Sequence, residues 1–162
     1  MQSLKDISKF TDTLGGTGVF VTAGSEPNTM TASWGGAGVM WNRGIIAVPI
    51  RNTRFTFGKI EETGEFSVSI PKSGEMKELL TYFGTKSGRD VDKYLATGTK
   101  LQKCREIGTS VLADCETFFE CKVLYRSDIK PEHLPEGFIT AYYPHHDYHT
   151  LFYGEIVAAY RK

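Results

Sequence analysis

The sequence predicts a mainly β fold, a closed or split antiparallel barrel carrying two or three short helices, and three observations lead there. Several runs alternate apolar and polar residues with period two, most clearly residues 115–126, the pattern of an antiparallel strand with one wet face. Aromatics and glycine are plentiful (Phe 10, Tyr 8, Trp 2, Gly 17), a mixture that favours strands joined by tight turns. No long alternation of strand and helix occurs, so a doubly wound parallel sheet does not fit. At 162 residues the chain suits one domain, residues 1–162, with a substantial hydrophobic core.

In chain order, residues 4–10 are of mixed polarity and predict one turn of helix. Residues 17–22 read as a buried strand, and a turn at residues 23–28 leads to its hairpin partner. That partner, residues 28–34, puts Met30, Ala32 and Trp34 on one side and Thr29, Thr31 and Ser33 on the other. The small residues Gly35, Gly36, Ala37 and Gly38 let another surface approach its end. Residues 45–50 form a third strand, where Pro49 implies an edge or a bulge. Asn52 or Thr53 can cap a helix with Phe57, Ile60 and Glu61 on one face, stopped by Gly64. Phe66, Val68 and Ile70 alternate with Ser67 and Ser69 in a fourth strand.

Ser73 can cap a second helix, with Met76, Leu79, Leu80 and Phe83 at i, i+3, i+4 and i+7 and Gly84 as its stop. Residues 85–94 form a polar surface loop leading into a short helix. In the longest strand Cys115, Thr117, Phe119, Cys121, Val123 and Tyr125 share the inner face, while Glu116, Glu120, Lys122 and Arg126 face water. Residues 130–147 read as a loop with three prolines, and residues 148–160 as the last strand.

Composition excludes several functions. Nineteen basic and nineteen acidic residues cancel, against general nucleic-acid binding. No apolar run reaches the ~18 residues of a membrane span, and the first residues lack the pattern of a secretory leader. Cys104, Cys115 and Cys121 are odd in number and have no CxxC spacing, against a disulfide framework or zinc site and in favour of reduced thiols in the cytoplasm.

Glycine motifs carry no chemistry here. Gly15-Gly16-Thr17-Gly18 precedes a strand instead of joining a strand to a helix, and Thr85-Lys86-Ser87-Gly88 lacks the upstream glycine of a P-loop. Arg51 and Arg54 beside Asn52, Thr53 and Thr56 are the parts of a phosphate site at a helix start, or of a capped helix with solvated arginines. Lys86, Ser87, Gly88, Arg89 and Lys93 either close over the same anion or form a solvated loop. Residues 28–38 either lie along a flat ligand with a polar edge or form an ordinary half-buried strand. His145, His146, Asp147 and His149 lack metal-ligand spacing, whereas His149, opening the last strand, can point into a cleft. No nucleophile or general base stands out, so any chemistry falls to a cofactor.

Residues 28–41, then Arg51-x-x-Arg54-Phe55-Thr56-Phe57 and Glu65-Phe66-Ser67-Val68-Ser69, closely resemble the flavin reductase-like family, the flavoredoxin branch in particular. Ser87-Gly88-Arg89-Asp90-Val91-Asp92-Lys93 and His149 with Gly154-Glu155-Ile156-Val157 resemble its later motifs. The resemblance implies an FMN-binding split barrel and a homodimer with the flavin near the subunit interface. It places Asn28, Thr29, Met30, Thr31, Ala32, Ser33 and Trp34 along the isoalloxazine ring. Arg51, Asn52 and Thr56 would then hold the phosphate and ribityl chain, with Ser87, Gly88 and Lys93 closing over them and His149 near the ring. Gly44, Pro49 and Asn52 depart from the family pattern.

The activity implied is transfer of electrons from NAD(P)H through FMN to a flavin, a metal complex or a protein. A non-enzymatic electron carrier reduced by a partner protein is the alternative, and a split barrel binding haem or another ligand is a third.

Overall fold

The computed structural model describes residues 3–72 and 74–162, so the cap expected at Ser73 lies outside the described residues. The organising element is the hairpin of β1 (Val19–Ala23) and β2 (Asn28–Ala32), in register from Val19 opposite Ala32 to Ala23 opposite Asn28. At its open end Gly18 takes φ 91°, where a Cβ would sit 2.9 Å from the Ala32 carbonyl oxygen, so only glycine fits. Five more strands complete the sheet: β3 (Gly36–Met40), β4 (Arg43–Arg51), β5 (Glu65–Ile70), β8 (Thr117–Asp128) and β9 (His149–Arg161). Their order is β2-β1-β5-β8-β9-β4-β3, with every neighbouring pair antiparallel. The sheet curls until β2 lies near β4, yet β2 and β3 remain unpaired edges. This is the antiparallel split barrel the sequence predicts.

The sequence pattern did not reveal β3, whose Gly-Ala-Gly-Val-Met has no alternation. It forms because Trp41 and Asn42, both at positive φ (52° and 57°), make a two-residue turn that brings Met40 opposite Arg43. The surface that approaches the small residues is the chain's own: a Cβ on Gly35 would lie 2.7 Å from the Ala47 carbonyl oxygen and 3.3 Å from Leu14. Pro49 is accommodated because β3 pairs with β4 only as far as Ala47, so beyond that point β4 has one neighbour.

The barrel interior is filled by Val19, Val21, Ile46, Val48, Phe66, Val68, Phe119 and Phe152, and its end is plugged by α1 (Ser3–Leu14). This helix is longer than the one turn expected. Phe10 and Leu14, four residues apart, face the barrel, and the Phe10 ring meets Phe119 edge-on at 6.5 Å.

A second apolar cluster lies on the outer side of β1, β5 and β8, under α3 (Lys77–Thr85) and a small hairpin of β6 (Leu101–Lys103) and β7 (Ser110–Leu112). There Phe20 and Phe83 pack edge-on at 5.8 Å, each fully buried and worth about 1.5–3 kcal/mol in apolar area. The hairpin also covers the serine face of β5: Ser67 Oγ donates to the Ser110 carbonyl at 2.6 Å, and Ser69 Oγ accepts from the Leu112 amide at 3.1 Å.

The wet face expected on β8 is likewise only partly wet. Glu120 is fully buried, its carboxylate accepting from the Arg105 and Glu106 amides at 2.8 and 2.7 Å and from the Tyr160 hydroxyl at 2.8 Å. Register shifts at Glu120/Cys121 and Val123/Tyr125 then break the alternation and turn Tyr125 outward. Cys115 and Cys121 are packing groups, and burial pushes the Cys104 and Cys115 thiols up to about 12 and Cys121 well above its ordinary value.

Between the strands, α2 (Phe55–Thr63) starts without a side-chain cap from Asn52 or Thr53 and ends at Gly64 in the left-handed region, as expected. A short helix α4 (Lys93–Thr97) is capped by Asp92, which accepts from the Tyr94 and Leu95 amides. The proline-rich stretch read as a loop contains a 3-10 turn at Pro131–His133 and α5 (Glu136–Tyr142), begun by prolines whose missing N–H a helix start does not need. Among the described residues no helix is long and apolar enough to cross a membrane.

Gly154, where β9 crosses between β4 and β8, is the tightest point of the barrel: a Cβ there would lie 2.6 Å from the Phe66 ring and 2.7 Å from Cys121 Cβ. Gly154→Ala is expected to lower stability by about 1–3 kcal/mol, seen as a reduced urea midpoint at unchanged m-value.

Candidate functional site

The open edge of β2 forms one wall of the site. Thr22 and Thr29 face each other with their hydroxyls 2.7 Å apart, and the Thr29 carbonyl accepts from Lys93 Nζ, so the Thr29 main chain points away from β1. Strand alternation turns the Thr31 N–H and carbonyl the same way, off the edge of the sheet. Opposite this edge stand the start of α2, the C-terminal end of α3 and the loop at residues 86–92. The space between them is a trough of two cavities, about 300 and 200 Å³, that share Met30 and Arg54.

The larger cavity is cationic. Arg54, Lys86, Arg89 and Lys93 line it, with Asp90 as the one acid, beside the hydroxyl groups of Thr53, Thr56, Thr85 and Ser87. Arg54 donates to the Gly84 and Phe83 carbonyls at 2.8 and 3.5 Å, the acceptor-rich end of α3, which keeps the cation in place. Burial, with Arg51 adding to it, lowers its pKa. Arg89 donates to the Thr53 carbonyl at 3.0 Å and lies over the Phe55 ring at 5.1 Å. Asn28 Nδ2 donates to Thr56 Oγ1 at 2.8 Å, and Gly88 packs so closely that a Cβ would collide with Asn28 Oδ1. Ser87 Oγ accepts from the Arg89 amide at 3.2 Å, shaping the loop around the cavity.

The smaller cavity meets the larger at Arg54, and away from that border its one cation is paired. Besides Met30 and Arg54, it is lined by Thr31, Ala32, Ser33, Trp34, Pro49, Arg51 and His149. Arg51 is neutralised there: Nη1 pairs with Asp147 Oδ1 at 2.5 Å, Nη2 donates to the Tyr142 carbonyl at 2.8 Å, and the guanidinium lies 5.1 Å from the Tyr143 ring centre. His149 is buried against Trp34 (ring centres 5.2 Å apart), with Nδ1 2.8 Å from the Tyr143 hydroxyl. Burial, reinforced by Arg51 and opposed by Asp147, pushes the imidazole down to about 4, so it is neutral at pH 7.

Most residues singled out in the sequence meet in this trough, but Asn52 and the Thr29 side chain lie outside it and Arg51 lines the opposite end from the one expected. Arg51, expected to hold a phosphate, lines the smaller cavity because Asp147, far along the chain, captures it. Asn52 is exposed and lines neither cavity, and the Thr29 side chain is buried against Thr22 and Tyr94. His145 and His146 are exposed. Tyr142, Tyr143 and Asp147 were not foreseen as parts of the site; their only sequence signal is their closeness to His149. Among the described residues no three His, Cys, Asp or Glu side chains come together to hold a metal ion.

The trough thus has a cationic end beside the 86–92 loop and an end lined by Trp34, His149 and the paired Arg51. Residues 12–162 match the flavin reductase like domain, and the chain belongs to that family. Among solved structures it is similar to the flavoredoxin of Desulfovibrio vulgaris (25% identity, TM-score 0.70, covering 90% of this chain and 70% of that one). An FMN-binding protein from Thermus thermophilus is likewise similar (26% identity, TM-score 0.68, covering 91% and 72%). By sequence the chain is 26% identical over 139 residues to an uncharacterised protein of Archaeoglobus fulgidus, covering 86% of this chain and 68% of that one.

The depressed His149 pKa has a consequence for stability. The unfolded chain takes up this proton near 6.5, the folded chain only near 4, so stability falls as pH drops through that window. The contribution has a slope of at most about 1.4 kcal/mol per pH unit. His149→Phe is expected to flatten the slope of unfolding free energy between pH 6.5 and pH 4, measured by urea titration.

Proposed function

We propose that this chain is a flavoprotein oxidoreductase that binds FMN, takes electrons from NAD(P)H and passes them to a flavin, metal complex or protein acceptor. The observation that carries this reading is the division of one trough into a cationic end and an end walled by Trp34 and His149, where Arg51 is paired. FMN has that same division, a dianionic phosphate joined by a polyhydroxylated chain to a tricyclic ring. The residues present fit it. Arg54 and Arg89 with Thr56 and Ser87 would take the phosphate, and the tight contact of Gly88 on Asn28 leaves the loop close enough for main-chain donors to reach it. The Thr31 main chain on the open edge of β2 would meet the polar rim of the ring, with Trp34 and His149 beside it.

When bound, FMN supplies the two-electron chemistry, since no side chain here is placed as a nucleophile or a base. The protein contributes orientation and electrostatics. Hydrogen-bond donors at the ring rim favour an electron-rich ring, and a neutral His149 places no full positive charge beside it. Family membership and the similarity to flavoredoxin and an FMN-binding protein support the reading independently.

A homodimer belongs to the same proposal. Val39, Met40 and Trp41 at the end of β3 and Leu124 and Tyr125 on β8 are exposed, with Trp41 and Tyr125 rings 6.2 Å apart. That apolar surface suits burial against a second copy.

The purified chain mixed with FMN is expected to turn yellow and to bleach when NAD(P)H is added without oxygen. Flavin that binds but never bleaches would leave an electron carrier reduced by a partner protein. No binding would end the flavin reading. Arg89→Ala is expected to weaken FMN by roughly 10- to 150-fold, the worth of one charge-assisted contact, while leaving riboflavin affinity unchanged. Arg51→Ala is expected to leave the FMN-to-riboflavin ratio as it is, because that guanidinium serves Asp147 and Tyr142.

A further inference from the structure

Lys93 sits in the basic loop, and the family likeness implies that it closes over the phosphate. Its surroundings indicate a different role. The side chain is 3% exposed, and its ammonium donates to three main-chain carbonyls: Thr29 on β2, Phe83 in the last turn of α3 at 3.5 Å, and Lys86 at the start of the loop at 3.2 Å. An ammonium has three protons, so this set uses its donors fully. The Phe83 ring, 5.0 Å away, covers it further.

Those three carbonyls belong to three separate walls of the trough. The next residue adds a fourth tie, because the Tyr94 hydroxyl is 2.8 Å from Thr29 Oγ1, which in turn is 2.7 Å from Thr22 Oγ1. Thr29 is thus held twice by the first turn of α4, through its carbonyl by Lys93 and through its hydroxyl by Tyr94. Two residues further along β2 lies Thr31, whose main chain faces the ring end of the trough. The Lys86 carbonyl begins the loop that carries Ser87 and Arg89. One ammonium therefore fixes the distance between the strand that meets the ring and the loop that meets the phosphate.

We propose that Lys93 is a positioning residue: it ties the edge of β2, the end of α3 and the 86–90 loop together and sets flavin affinity without touching the phosphate. The proposal rests on the flavin reading above. It differs from a direct phosphate contact in one measurable respect. A phosphate ligand matters only to FMN, whereas a brace between the two ends of the trough matters equally to a flavin that has no phosphate.

The test is the affinity of wild type, Lys93→Met and Arg89→Ala for FMN and for riboflavin, followed by quenching of flavin fluorescence. Lys93→Met is expected to weaken both ligands by the same factor, about tenfold or more, as outer supports of a site commonly do. Arg89→Ala is expected to weaken FMN alone. A Lys93→Met chain that loses FMN but keeps riboflavin, or loses neither, overturns the proposal. Failure of wild type to bind either flavin removes the flavin reading itself, a result distinct from a loss confined to the variant.

If Lys93→Met does not fold, wild type labelled with 15N-lysine answers the question. The Lys93 ζ protons are expected to be protected from exchange before flavin is added, and their signal is expected to respond alike to riboflavin and FMN. Fast-exchanging protons, or a shift produced by FMN only, overturn it.

Discussion

An open sheet edge leaves main-chain donors and acceptors without partners, and in this protein the edge of β2 is where that constraint is met. One outward carbonyl, at Thr29, is satisfied by the buried ammonium of Lys93. The next outward pair, at Thr31, is left facing the trough. A fully closed barrel would have paired both, and there would be no wall of free main-chain groups for a planar ligand to meet. The split in the barrel is therefore the condition for the site.

Around that edge the charges are sorted by partners from distant parts of the chain. Arg54 is drawn to the carbonyl end of α3, where it stays cationic and faces the larger cavity. Arg51 is drawn to Asp147 and the α5 segment, where its charge is cancelled. The outcome is one trough with two characters, cationic beside the loop and neutral beside Trp34 and His149. The burial that neutralises His149 belongs to the same arrangement, since Tyr143 and Trp34 both reach it from around the α5 segment and the end of β2.

Much of this was legible in the sequence, and the rest was hidden for physical reasons. Local signals held where one residue or a short repeat decides the geometry: Gly64 ends α2, and the β1–β2 hairpin follows from its alternation and turn. Patterns failed where the partner is remote. Glu120 looks solvent-facing in a two-residue repeat, but the loop of the β6–β7 hairpin covers it. The strand β3 has no pattern of its own and exists through its turn and its pairing with β4. For the site, most of the residues singled out in the sequence line the trough, but their placement within it depends on remote partners. Arg51 and Arg54 are three residues apart and chemically identical, so only Asp147 and the end of α3 decide which of them remains free for an anion.

The three thiols lead to a practical property of the molecule. Burial holds all three thiols well above their ordinary value, so little of any of them is ionised at pH 8. Maleimides and iodoacetamide attack the ionised form, so the native chain is nearly silent toward them. A single cysteine engineered onto the surface would then carry a dye or spin label alone, with none of the natural residues having to be replaced.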